Sequence, residues 1–332
     1  MERPRATLSR RQVLSLTAVT TGVGSFAGCI GGETASASDS DDTTAQSSFF
    51  VFGDLTAQVA GRVASAELLV PIGQHGHGWE PGPSIREDIR GADLLVHGMA
   101  GFQPWIDSIR TDLEVDKPDV IAVDASAGVD LLAVGDDDDH EGDDDDEDET
   151  TRGPGMDPHF WMDPVRVEAA TDTIRQGLAD ADPGNADEYA DNAAAFQDRL
   201  QSLHGRLQRL VDAASTDVLL VAGHDSLQYV GDRYGVTIES LTNVSPDDRP
   251  TPRDIEQARQ VIETHGLQYI CADPLESQRA ADQLVQETAA EEVLPLTAMP
   301  GLADEWAQND WGYVEVMENV NIPTLERALD AV

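Results

Sequence analysis

From residue 49 onward, short apolar runs alternate with stretches whose apolar residues recur every three or four positions. Phe49–Phe52, Glu67–Val70, Asp93–His97 and Asp119–Val123 have strand length. Between them, helices are predicted from Phe52 to about Ser65, over Ser84–Arg90 and over Phe102–Leu113. The second half repeats the scheme. Strands are predicted at Asp217–Ala222, Val236–Leu241, Leu267–Ala272 and Val293–Leu296. Helices are predicted at Asp225–Tyr234, Pro252–His265, Ser277–Ala290 and Asp310–Leu329, the last broken at Pro323. Thr251-Pro252-Arg253-Asp254 is a helix start, with Thr as N-cap and Pro in the first turn. Alternation of strand and helix implies parallel sheets with helices on their faces.

Between the halves the pattern changes. After Asp182-Pro183-Gly184 the chain runs to Ala214 with no further proline, and Leu200, Leu203, Leu207 and Leu210 recur at helical spacing. One long helix is expected there. The predicted fold is α/β, with two lobes of parallel sheet joined by a bridging helix. The corresponding segments are 49–183, 184–214 and 215–332.

The N-terminus changes the picture of location. Arg10-Arg11 precede a weakly apolar stretch, Val13–Ala27, which is too short and too rich in Thr, Ser and Gly to span a bilayer. It ends at Ala27-Gly28-Cys29, which resembles a lipoprotein cleavage box on a twin-arginine signal. Residues 1–29 are therefore expected to be a signal, with Cys29 lipidated. Residues 30–48 carry almost no large apolar side chain and are expected to be a flexible tether to the membrane. The other cysteine, Cys271, lies in an apolar run, so neither an internal disulfide nor a cysteine metal cluster is expected.

The formal net charge is −42, with 63 acidic residues against 21 basic. The run 136–149 holds 12 of the acidic residues. The acidity is thus global, of the kind that high salt screens in halophiles. It argues against nucleic acid as a partner. The acidic run itself reads as a solvated loop, or as a weak collector of cations.

Three histidines then stand out: His77 in GQHGHGWEPGPS, His159 in MDPHFWMDP and His224 in AGHDSLQYVGDRYG. Each sits in a loop before a predicted helix. A lone loop histidine is usually an ordinary polar residue. Three that converge would make a metal site, because neutral imidazole is a common zinc ligand. His77 and His224 follow predicted strands, and ligands of open α/β sheets bind beyond the carboxyl ends of strands. Asp163 and Asp225 follow ligand histidines closely. Either can accept a ring N–H or cap the next helix, and a cap is expected of Asp225. His75 is expected to be exposed, and His97 to be a hydrogen-bonded cleft residue. Trp79 and Trp161 flank the ligand loops and are expected to pack. Neither H-E-x-x-H nor a serine nucleophile elbow occurs, so a zinc metallohydrolase is a weak alternative.

These motifs resemble those of the cluster A-I solute-binding proteins of ABC transporters, the zinc and manganese group related to ZnuA and TroA. HGWEPGPS is similar to the first ligand loop, DPHFWMDP to the second, and HDSLQYVGDRYG to the third, with Ser226 in place of Ala. The resemblance implies two α/β lobes joined by a long helix, with the metal in the cleft between them. It implies His77, His159 and His224 as ligands. It also implies capture of Zn²⁺ outside the cytoplasm by a membrane-anchored monomer that delivers the ion to a permease and its ATPase. His224, where manganese-selective relatives carry Glu, favours zinc; a manganese or iron receptor of the same fold is the alternative. In the family's usual fourth-ligand segment this chain reads Leu296-Thr297-Ala298-Met299-Pro300-Gly301, without a carboxylate. Asp304, Asp273 or a water is expected to complete the shell.

Overall fold

The computed structural model describes residues 43–76, 79–116, 119–134, 155–245 and 248–331. The signal, Cys29, most of the tether, His77 and the acidic run 136–149 lie outside the described residues.

Two four-stranded parallel sheets form the frame. The first contains β1 (Thr43–Ser47), β2 (Ala64–Leu68), β3 (Leu94–His97) and β4 (Ile121–Asp124), in the order β2-β1-β3-β4. The second contains β5 (Val218–His224), β6 (Thr237–Thr242), β7 (Tyr269–Ala272) and β8 (Glu292–Pro295), in the order β6-β5-β7-β8. Each sheet therefore has its first strand flanked by its second and third, so the lobes repeat one topology. Crossover helices cover the faces: α1 (Phe50–Ala60), α2 (Pro83–Arg90) and α3 (Pro104–Asp116) in the first lobe. The helices α4 (Pro164–Ala181) and α5 (Ala186–Ala213) lead out of it. The second lobe carries α6 (Gln228–Tyr234), α7 (Pro252–His265), α8 (Arg279–Glu287) and α9 (Asp304–Gln308). The chain then closes with α10 (Tyr313–Val316) and α11 (Ile322–Ala328).

The first strand lies earlier than the apolar pattern predicts. Thr43–Ser47, read as tether, forms β1, and Phe50–Phe52 opens α1. The physical reason is burial. Helix α1 is enclosed by sheet, α4 and α5, so even Phe50, Val51 and Phe52 in succession are buried. A short apolar run buried on all sides has no period that separates helix from strand. Meanwhile β1 is central in its sheet and keeps polar side chains satisfied, with Gln46 donating to Glu67 Oε2 at 3.1 Å.

The bridging helix forms as its pattern predicts. Helix α5 has 28 residues, about 42 Å at the usual rise. Leu200, Leu203, Leu207 and Leu210 are all buried on one stripe. Helix α7 starts on a capping box, with Thr251 Oγ1 accepting from the Asp254 N–H and Asp254 accepting from the Thr251 N–H. The break expected at Pro323 is a π turn, Met317–Asn321, immediately before α11. Pro323 has no N–H to donate, and the wider turn accommodates that loss.

The lobes share more than α5. A single apolar core includes Phe52 and Trp161 of the first lobe with Leu219, Met299 and Tyr313 of the second. Hydrogen bonds cross it: Trp161 Nε1 donates to Ala298 O at 2.8 Å, and the Tyr313 hydroxyl donates to Trp161 O at 2.7 Å. The buried carboxylate of Asp54 on α1 accepts from the Tyr313 N–H at 2.8 Å. Each such bond contributes about 1 kcal/mol net, but breaking one side costs more, because a buried polar group is left unpaired.

Candidate metal centre

The polar residues that come together here all lie at strand ends or just beyond them. His224 is the last residue of β5, two residues further than the predicted strand. The register against β6 shifts between Val221 and His224, an irregularity that re-aims the last side chain. His159 stands just before a 3-10 turn, Phe160–Met162, in the connection from β4 to α4. His75 lies in the loop after β2, and Glu276 in the loop after β7.

His159 and His224 are buried, and their Nε2 atoms face each other at 3.4 Å. The opposite ring nitrogens face carboxylates. His159 Nδ1 lies 2.8 Å from Asp157 Oδ1, which also accepts from the His159 backbone N–H at 2.9 Å. His224 Nδ1 lies 3.0 Å from Glu276 Oε1. Hydrogens are assigned from partners: a carboxylate at Nδ1 places the ring proton there and leaves a lone pair on Nε2. Two lone pairs at 3.4 Å repel unless a cation sits between them. Tetrahedral zinc at about 2.0–2.1 Å from each nitrogen would need the two nitrogens about 3.3–3.4 Å apart. The observed separation meets that requirement.

The electrostatics agree. Burial pushes the His159 imidazole below its ordinary pKa, against the pull of Asp157, so the ring stays neutral at neutral pH. Burial opposes ionisation of Glu276, yet His224 and His75 outweigh it and hold its pKa at about 2. His75 Nε2 lies 3.5 Å from the same Glu276 oxygen, with both side chains partly exposed. Among the described residues no group of three His, Cys, Asp or Glu side chains closes a metal shell by itself. His77, the third expected donor, is outside those residues.

The other expected ligands are placed differently. Asp273 is buried, and both of its oxygens are engaged: Oδ1 accepts from the Leu275 N–H, and Oδ2 from Thr297 Oγ1 and the Ala298 N–H. Burial raises its pKa to about 6. It braces the segment that lacks the usual carboxylate. Asp304 opens α9 and is exposed, near Gly73. The segment around Pro300 holds the first histidine loop by backbone instead. The Gly76 N–H donates to Pro300 O at 2.7 Å, and the Gly73 N–H to Leu302 O at 2.8 Å. A Cβ on Gly301 would lie 2.1 Å from Gln74 O, so the two segments cross where only glycine fits.

Asp163 does not face a histidine ring. It caps α4 through the Val165 N–H and binds Arg166 and Arg233. Asp225 does not cap α6; its carboxylate accepts from Gln228 and Ser240. His97 is buried, with Nδ1 2.6 Å from Gly98 O. Trp161 packs beside His159, ring centres 5.3 Å apart, and Trp79 packs edge-on against Trp105. Sequence reasoning missed Asp157 and Glu276. Asp157 carried a signal, since an acid two residues before a histidine can reach back to its ring and N–H. Glu276 carried none, because only the packing of β7 beside β5 brings it to His224.

The family model described as "Zinc-uptake complex component A periplasmic" (ZnuA) matches residues 46–328. The chain is 27% identical over 305 residues to the "High-affinity zinc uptake system protein ZnuA" of Bacillus subtilis, covering 91% of this chain and 93% of that protein. It is 28% identical to the "Zinc-binding lipoprotein AdcA" of Streptococcus pneumoniae, covering 85% of this chain but only 55% of that longer protein. It is 26% identical to the "Manganese-binding lipoprotein MntA" of Halalkalibacterium halodurans, covering 71% and 72%. Among solved structures, the Zn(II)-bound ZnuA-like domain of Streptococcus pneumoniae AdcA is similar at TM-score 0.70 and 25% identity, covering 87% of this chain and 99% of that one.

Proposed function

We propose a function from one premise: this chain belongs to the ZnuA family, the periplasmic component A of zinc-uptake complexes. The protein is a metal-binding receptor that captures Zn²⁺ outside the cytoplasm and delivers it to an ABC permease for import. The single observation that carries this reading is the His159–His224 pair. Its two Nε2 lone pairs face each other at a zinc-like separation, and each Nδ1 is held by a carboxylate. His77 is the third ligand in this reading. The full occupancy of Asp273 by scaffold donors weighs against it as the fourth. Asp304 or a water then remains for that position. No turnover is required, because the ion is cargo.

Several finer features belong to the same proposal. Residues 1–29 act as a twin-arginine lipoprotein signal, and Cys29 carries the lipid that anchors a monomeric receptor to the membrane. The acidic surface suits a saline environment. The similarity to MntA keeps manganese as the second reading, with iron behind it. A shell built on neutral imidazoles favours zinc over the harder manganese ion.

The test is metal analysis of the mature protein in high salt with Zn²⁺, Mn²⁺ and Fe²⁺ offered together. The expected result is one zinc per chain, lost in His159→Ala. Retained manganese or iron would overturn the specificity, and no stoichiometric metal would overturn the function.

A further inference from the structure

Among the described residues, Glu276 is the one carboxylate that touches two histidines of this region, and it lies outside residues 296–301, where the resemblance places the fourth ligand. Its Oε1 is 3.0 Å from His224 Nδ1 and 3.5 Å from His75 Nε2. Its position is built rather than incidental. A Cβ on Gly223 would lie 3.1 Å from Glu276 Oε2, so the glycine before His224 leaves the room the carboxylate uses. The Glu276 N–H donates to Asp273 O at 3.0 Å, and Gln278 donates to both Asp273 O and Glu276 O. These bonds hold the loop after β7 in place. Glu276 thereby links three pieces of backbone: the end of β5, the loop after β7 and the loop after β2.

We propose that Glu276 is the positioning residue of this receptor's zinc site: it holds the His224 ring so that Nε2 faces the ion, and supplies its negative charge from outside the coordination shell. The proposal rests on the reading of His224 as a zinc ligand. The geometry argues for an outer role. Glu276 meets the ring at Nδ1, while the nitrogen facing His159 is Nε2. A carboxylate behind a metal-bound imidazole fixes the tautomer and makes the ring a stronger donor. Asp157 does the same for His159. The two imidazoles are thus backed by two carboxylates, whose combined charge balances that of Zn²⁺. The carboxylate missing from residues 296–301 is replaced in charge, though not in place. An inner shell of nitrogen with carboxylates behind it also favours zinc over manganese, which prefers oxygen donors directly.

The test has two independent readouts. In metal-free protein carrying ¹⁵N-labelled histidine, NMR should show the His224 proton on Nδ1, moving toward Nε2 in Glu276→Ala. Zinc affinity, measured by competition with a chelator, should fall about 10–100-fold in Glu276→Ala. Glu276→Gln keeps an acceptor without the charge; it should retain the tautomer and lose less affinity. Glu256→Ala, an exposed acid on α7, should change neither. Two results overturn the proposal: an unchanged tautomer and affinity in Glu276→Ala, or X-ray absorption showing a zinc–oxygen bond that Glu276→Gln removes. If the unaltered protein binds no zinc, the receptor reading fails, whereas the tautomer measurement still decides what Glu276 does to His224.

Discussion

Asp163, in the second histidine loop, and Arg233, on α6 of the second lobe, meet across the molecule. Asp163 Oδ2 lies 2.8 Å from Arg233 Nε and 2.7 Å from Nη2. Asp163 has no solvent exposure and also takes a bond from Arg166 Nη1 at 3.0 Å. Arg166 in turn reaches Asp232 and lies over the ring of Tyr229, whose hydroxyl donates to Asp157 O. The loop that carries His159 is therefore tied to the helix that follows His224.

Breaking that tie should be costly. Asp163→Asn removes the charge that two arginines share. Removing one partner of a buried ion pair typically costs roughly 3–5 kcal/mol. The lower end is expected here, since Arg233 is 33% exposed and partly solvated. Urea unfolding at constant high salt measures it. A change below about 0.5 kcal/mol, the size of an ordinary surface substitution, would show that the cluster contributes little.

The orientation of His159 should depend on Asp157 alone. Asp157→Ala removes the acceptor of both its ring Nδ1 and its backbone N–H. Zinc affinity should fall about 10–100-fold with the fold intact. Chelator competition together with circular dichroism checks both halves. Equal affinity would mean that packing against Trp161 suffices to hold the ring.

Asp273 sets a pH dependence of stability. Its folded pKa is about 6, raised by burial above the ordinary 3.8. Ionisation therefore costs more in the folded state than in the unfolded one. The metal-free protein should lose stability as pH rises from about 4 to 6 and level off above. Asp273→Asn should flatten that slope. Melting temperatures of both proteins across this range, at fixed salt, decide it; parallel curves would refute it.

The crossing of the first histidine loop over Gly301 should tolerate no side chain. Gly301→Ala would put a methyl 2.1 Å from Gln74 O, a backbone atom. Overpacking of this kind costs about 1–3 kcal/mol and would displace the loop that leads to His77. Weaker zinc binding with lower thermal stability is expected. Unchanged values for both would show that the loop is free to move.

Zinc should leave on acidification. Imidazoles must be neutral to bind, so competition from protons should release the ion between pH 7 and about 5. Equilibrium dialysis across that range measures it, and constant affinity would contradict an imidazole site.

Local sequence determined much of this protein. Leu200, Leu203, Leu207 and Leu210 specified the bridging helix because one face of a 3.6-residue period must be buried. Thr251 and Asp254 specified where α7 begins, because a capping box satisfies its own N–H groups. The histidine motifs marked His159 and His224, each within a few residues of the loop or strand end that presents it. Tertiary structure decided the rest. Phe50–Phe52 became helix because sheet and helices enclose it on all sides, which erases the periodic signal. The Thr43–Ser47 strand became visible only through its pairing with β2 and β3. Glu276 joined the site, and Asp273 was drawn into bracing, because the strand order places β7 beside β5. The 51 residues between His224 and Glu276 in the chain carry no trace of that adjacency, since contacts between parallel strands depend on topology and not on spacing.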